Sequence, residues 1–247
     1  MTAEEKTNLA RFLDVASGFV RGGYVERRDG YDFSDDPEPG SEEAAVSATS
    51  NGADGFEQIE ANVRVCKACR LAETRKNAVP GEGVRQPLVM VIGEGPGADE
   101  DESGRPFVGK AGQLLDKMLG AIDLSRERNC FIANVIKCRP PRNRDPMPDE
   151  TFACAPFLER QVQLLNPAFI LCAGRIAAQT LLDTSEPIGK IRGKITELNI
   201  AGMTIPFLAT YHPSALLRNE ALKRPAWEDL KLLRSALVEA GFDPAGS

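Results

Sequence analysis

Six cysteines and a single histidine set the chemistry open to this 247-residue chain. Cys66 and Cys69 form a C-x2-C pair, and after a gap of 68 residues Cys138 and Cys154 follow with 15 residues between them. Four thiolates can close the shell of a zinc ion or of a 4Fe-4S cluster, and spacing does not choose between the two. The flanks Arg64, Lys67 and Arg70 are too polar for Cys66 to be a core residue, whereas Cys130 and Cys172 fall in apolar strands and read as core. The one histidine, His212, excludes sites built on several imidazoles, and any Ser-His-Asp or Cys-His arrangement must use it.

A second candidate is the glycine loop. Gly93, Gly95 and Ala98 follow a strand and match the relaxed G-x-G-x-x-A dinucleotide pattern. Asp99, Glu100, Asp101 and Glu102 come next, four acids where a pyrophosphate needs helix-terminal N–H groups without opposing charge. The following helix is expected only near Val108. A tight turn fits better, as do small residues that let the backbone approach a flat, neutral ligand while acids position a water.

The elements that must hold these residues alternate. Short apolar runs at Pro87 to Ile92, Cys130 to Ile136 and Ala168 to Ala173 read as strands, as do Gly193 to Asn199 and Met203 to Thr210, which join at Ala201-Gly202. Helices are expected over Val108 to Ile122, Pro148 to Leu165, Arg175 to Leu182 and Arg224 to Ala240. Alternation with apolar strands predicts an α/β fold with a central, mostly parallel sheet covered on both faces. In such sheets ligands sit beyond the carboxyl ends of the strands, which singles out Gly93 to Gly97, Asn134 to Arg144 and Tyr211 to Arg218.

Charge is segregated. Residues 1–60 hold 14 acids and 5 bases, and the rest hold 22 acids and 25 bases, so the overall −6 is the sum of a leader at −9 and a body at +3. A mildly basic body permits a polyanionic ligand. Residues 4–20 place Leu9, Phe12, Leu13, Ala16, Phe19 and Val20 at helical spacing, and residues 27–55 have the acidic, Pro- and Gly-containing composition of a disordered linker. The leading helix is either a cap on the main domain or a docking peptide for a protein partner. With no signal-peptide pattern and no apolar run of membrane-spanning length, a soluble cytoplasmic protein without disulfides is expected.

Taken together, GEGPGADEDESGRPFVGKAGQLL (Gly93 to Leu115), ANVIKCRPP (Ala133 to Pro141), YHPSALLR (Tyr211 to Arg218) and the four spaced cysteines resemble the family 4 uracil-DNA glycosylases, iron-sulfur enzymes of bacteria and archaea. The resemblance covers about residues 56–240, so residues 1–55 are expected to be an N-terminal extension and 56–247 the catalytic domain. It implies a three-layer α/β/α sandwich, a 4Fe-4S cluster on Cys66, Cys69, Cys138 and Cys154, and hydrolysis of the N-glycosidic bond of deoxyuridine in single- or double-stranded DNA. A monomer acting at the prokaryotic nucleoid is expected.

Carried over by motif, Gly93, Glu94 and Gly95 line the uracil pocket, Phe107 stacks on the flipped base, Asn134 reads its polar edge and His212 contacts the pyrimidine carbonyl beside the scissile bond. Glu94 and Glu100, with Asp101 behind them, are the candidates for positioning the water. Ser214, Ala215, Leu216 and Leu217 could wedge into the space left by the base, and Arg218 could hold a phosphate. Lys137, Arg139, Arg142 and Arg144 are expected to contact the DNA backbone. One superfamily relative traps its product on a second histidine after the glycine loop, which this chain lacks. The alternative is a non-catalytic DNA- or uracil-binding iron-sulfur module on the same fold.

Overall fold

A six-stranded sheet carries the site in the computed structural model, which describes residues 52–246. Its strands are β1 (Glu82–Gly83), β2 (Val89–Gly93), β3 (Cys130–Asn134), β4 (Phe169–Ala173), β5 (Ile195–Ile200) and β6 (Met203–Thr210), in the order β1-β3-β2-β4-β6-β5. The four central strands run parallel, and β1 and β5 close the edges antiparallel. Every residue of β2, β3 and β4 is buried, as a strand covered on both faces requires.

The helices are α1 (Gly52–Val65), α2 (Ala98–Ser103), α3 (Lys110–Gly120), α4 (Pro148–Leu165), α5 (Arg175–Leu182), α6 (Ile188–Ile191), α7 (Pro213–Arg218) and α8 (Lys223–Glu239). Alternate strand residues separate into two cores, because successive side chains point to opposite faces. Met90, Ile92, Phe131, Ala133, Ile170 and Phe207 pack with α1, α4 and α5. Val89, Val91, Ile132, Leu171 and Leu208 pack with α3 and α8. These are the three layers expected, and Cys130 and Cys172 lie in the cores as expected. No helix among the described residues is long and apolar enough to cross a membrane.

The helix expected over residues 4–20 and the linker as far as residue 51 lie outside the described residues; the last stretch of the expected linker, residues 52–55, is instead the first turn of α1, which residue order did not announce. One correction concerns the acids after the glycine loop. They form α2, which starts directly at Ala98 behind its cap Gly97, so Asp99, Glu100 and Asp101 sit in a first turn. There their charges complement the exposed N–H groups. α6 and α7 were also unforeseen, both being too short to show a helical repeat.

Candidate active site and four-cysteine centre

The carboxyl ends of β2, β3, β4 and β6 open into one cleft of about 690 Å3, lined among others by Glu94, Glu100, Phe107, Asn134, Tyr211 and His212. The three loops chosen from the sequence meet there. A fourth was missed: Gly174 and Arg175, at the end of β4, also line the cleft, and the rule about strand ends applies to them equally.

The parallel register sets Gly93 beside Asn134. Asn134 is 2% exposed, and its Oδ1 is the one buried side-chain nitrogen or oxygen without a hydrogen-bond partner among the described residues. Buried acceptors are nearly always paired, so this one is open to a donor from a bound ligand or a water. Phe107 closes the other side with its ring centroid 5.7 Å from that of His212. Its backbone is held at φ 52° while Arg126 donates to the carbonyls of Pro106 and Phe107 at 2.9 and 3.0 Å and to Asp116 at 2.7 Å. Sequence reasoning passed over Arg126, because nothing in its spacing announces a brace.

His212 caps its own helix. The Ser214 N–H donates to Nδ1 at 3.1 Å, and the Ser214 hydroxyl lies 2.8 Å from the same nitrogen. With Nδ1 accepting, the ring proton resides on Nε2, which is then a donor. Burial, helped by the nearby Arg218 charge and opposed by Glu100, lowers the imidazole to about 4, so the ring is neutral at pH 7. Gly174 makes room for it: at φ 106°, a β-carbon there would stand 2.8 Å from His212 Cβ.

The two candidate acids differ. Glu94 is half-buried, and burial reinforced by Asp145 raises its carboxyl to about 7, with Arg175 opposing. Glu100 is committed to the loop: its Oε1 accepts from the N–H groups of Val108 and Gly109 at 2.9 and 3.0 Å, and Oε2 from that of Gly97 at 3.0 Å. Asp101 turns away from the cleft, accepting from the Lys76 and Asn77 amides.

Among the expected DNA contacts, two are corrected, Lys137 and Leu216. Lys137 is not on the surface; it is 1% exposed and donates to the Asn134 carbonyl at 2.9 Å and Gln161 Oε1 at 2.6 Å. Leu216 is buried, so it packs the hydrophobic interior while its neighbour Leu217 is 49% exposed. Arg144 lines the cleft and pairs with the buried Glu150 at 2.8 and 2.5 Å, which ties the loop to the start of α4. Arg142 and Arg218 are exposed, and Ser214, Ala215 and Arg218 line the cleft.

Away from the cleft, Cys66, Cys69, Cys138 and Cys154 line one recess with otherwise apolar walls, apart from Arg75 and Lys137. Three of the sulfurs accept hydrogen bonds: Cys66 from the Ala68 N–H at 3.4 Å, Cys154 from the Lys137 N–H at 3.2 Å and Cys138 from Arg75 Nη1 at 2.8 Å. Burial pushes the Cys154 thiol up to about 11, a cost that a thiolate offsets by binding a cation. The four cysteines thus share one recess, while among the described residues no three Cys, His, Asp or Glu side chains stand in an arrangement that holds a metal ion.

Loops from four parallel strands thus bring an aromatic ring, an unpartnered amide and a neutral imidazole to one cleft. A family model for the uracil DNA glycosylase superfamily matches residues 80–231. The type-4 uracil-DNA glycosylase of Saccharolobus solfataricus is 45% identical over 189 residues, which is 74% of this chain and 87% of that protein. Its counterpart from Pyrobaculum aerophilum is 42% identical, over 77% of this chain and 98% of its own. A type-5 uracil-DNA glycosylase from the same organism reaches 31%, over 66% of this chain and 76% of its own. The chain belongs to the uracil-DNA glycosylase superfamily and, within it, to the type-4 family.

Proposed function

We propose that this protein is a monofunctional uracil-DNA glycosylase, which takes deoxyuridine out of the DNA stack and hydrolyses its N-glycosidic bond to begin base excision repair. The observation that carries this is the orphan Asn134 Oδ1 beside Phe107. A flipped uracil stacks on the ring and gives its N3–H to that oxygen, while the amide N–H2 reaches O4. Cytosine offers an acceptor at N3 and a donor at C4, so it leaves the same buried amide unpaired.

Bond breaking puts negative charge on the departing uracil and oxocarbenium character on the sugar. His212 meets the first with its Nε2–H, and because the ring is neutral it stabilises charge without giving up a proton. Glu94, whose carboxyl is raised to about 7, orients and deprotonates the attacking water, a role Glu100 is less free to take. Glu100 holds the Phe107 loop against the glycine loop. Arg142 and Arg218 supply exposed charge for phosphates, and Leu217 is the apolar side chain free to fill the vacated stack.

Cys66, Cys69, Cys138 and Cys154 would hold a 4Fe-4S cluster, a reading supported by the motif resemblance and by the N–H donors aimed at three of the sulfurs. When bound, such a group would tie the turn after α1 to the loop after β3 and to α4. All the groups named come from one chain, so a monomer suffices, and the cytoplasm provides both the reducing setting and the DNA. The test is to purify the protein without oxygen, record its visible spectrum and metal content, and incubate it with DNA carrying one uracil. Release of uracil and a brown iron-sulfur chromophore are expected. Failure to release uracil would overturn the activity, and colourless protein with stoichiometric zinc would overturn the cluster.

A further inference from the structure

The strand that delivers His212 is pinned at its last residue by groups from two other elements. β6 ends at Thr210, which is 1% exposed. Its carbonyl accepts from the Gly174 N–H at 2.9 Å, and its hydroxyl donates to Asp229 Oδ2 at 2.7 Å. Asp229 belongs to α8 and is itself 1% exposed. Its carboxylate is gripped by Arg192, from Nε at 2.9 Å and from Nη2 at 2.5 Å. Arg192 also donates to the Pro225 carbonyl, and its guanidinium carbon lies 5.1 Å from the centroid of the Tyr211 ring.

A buried ion pair is weak evidence for stability, since well-packed apolar residues usually serve as well. What this one provides is direction. A bidentate guanidinium–carboxylate pair admits a narrow range of geometries. Here it sets both Thr210 and Tyr211, the two residues that precede His212. Resting on the glycosylase reading above, we propose that Asp229, oriented by Arg192, is a positioning residue that aims the His212 imidazole at the leaving uracil through Thr210 and Tyr211. Neither Asp229 nor Arg192 lines the uracil cleft, so the effect passes through the backbone that both restrain.

The test uses the full chain and its single histidine, whose ring nitrogens give one unobstructed pair of 15N resonances. Thr210→Val removes the hydroxyl and keeps the shape, Thr210→Ser keeps the hydroxyl, and Asp229→Asn removes the charge. Thr210→Val and Asp229→Asn are expected to lower kcat for uracil release by about ten- to a hundredfold, the scale of sub-ångström misplacement, with KM changed less than about twofold. They should also shift the His212 nitrogen resonances, and Thr210→Ser should restore both. A folded Thr210→Val protein with normal kcat and unshifted resonances overturns the proposal. So does unfolding of all three variants, which would make the network a brace of the fold. An inactive wild-type protein would instead sink the glycosylase reading, while the resonance shifts still report on the network.

Discussion

A β-carbon added to Gly93 would stand 2.5 Å from Asn134 Oδ1. The amide proposed to read the base thus keeps its place only because residue 93 has no side chain. Gly93→Ala should displace Asn134 and lower kcat/KM on uracil by at least about tenfold, assayed on single-stranded DNA to separate recognition from flipping.

Asn134→Ala separates function from stability. An unpartnered buried acceptor costs about 1–3 kcal/mol, so its removal offsets part of the packing lost. The variant should melt close to the wild type while losing about two or more orders of magnitude in kcat/KM. Free uracil should raise the wild-type Tm and leave that of the variant unchanged.

His212→Ala should lower turnover by about two to three orders of magnitude, the scale of losing one donor to a developing anion. Near-normal uracil release by a folded mutant would refute the assignment. Because the folded imidazole is lowered to about 4 from an ordinary 6.5, the unfolded chain binds its proton first. His212 therefore takes stability away as pH falls from 6.5 toward 4, and direct NMR titration of its ring should find no protonation near neutrality.

Glu94 has the opposite sign. Its carboxyl is raised to about 7, so its protonated form favours the fold, and that contribution is lost as pH rises from about 4.5 through 7. Activity should rise over the same approach to 7 if the ionised form orients the water. Glu94→Gln should flatten the profile, and Asp145→Asn, by removing a like charge, should move its midpoint to lower pH.

Arg75 spans the cysteine centre, donating to Cys138 Sγ and to the carbonyls of Cys66 and Arg64. Arg75→Leu should leave a chromophore that bleaches faster in air and a protein of lower Tm. An absorbance time course beside a melting curve checks both.

Much of this arrangement was visible in residue order, and what was hidden has physical causes. The ends of α4 and α5 could be read because Pro148 opens the one and Asp183, in a left-handed conformation, closes the other. α7 could not, since six residues make less than two turns, and so Leu216 and Leu217 looked interchangeable although only one is exposed. Lys137 was misplaced because a lysine is rarely buried; its partners Asn134 and Gln161 belong to different elements, and only tertiary structure joins them. Asp229 and Arg192 are 37 residues apart and gave no local signal.

One lone pair on His212 serves two masters. Nδ1 holds the first turn of α7 by accepting from Ser214, and that same acceptance keeps the ring's proton on the nitrogen left to face the substrate. An acidified ring could no longer accept, so charging it would also remove the side-chain cap from the helix that carries Leu217 and Arg218. One proton thus links the direction of the Nε2 donor to the cap of α7.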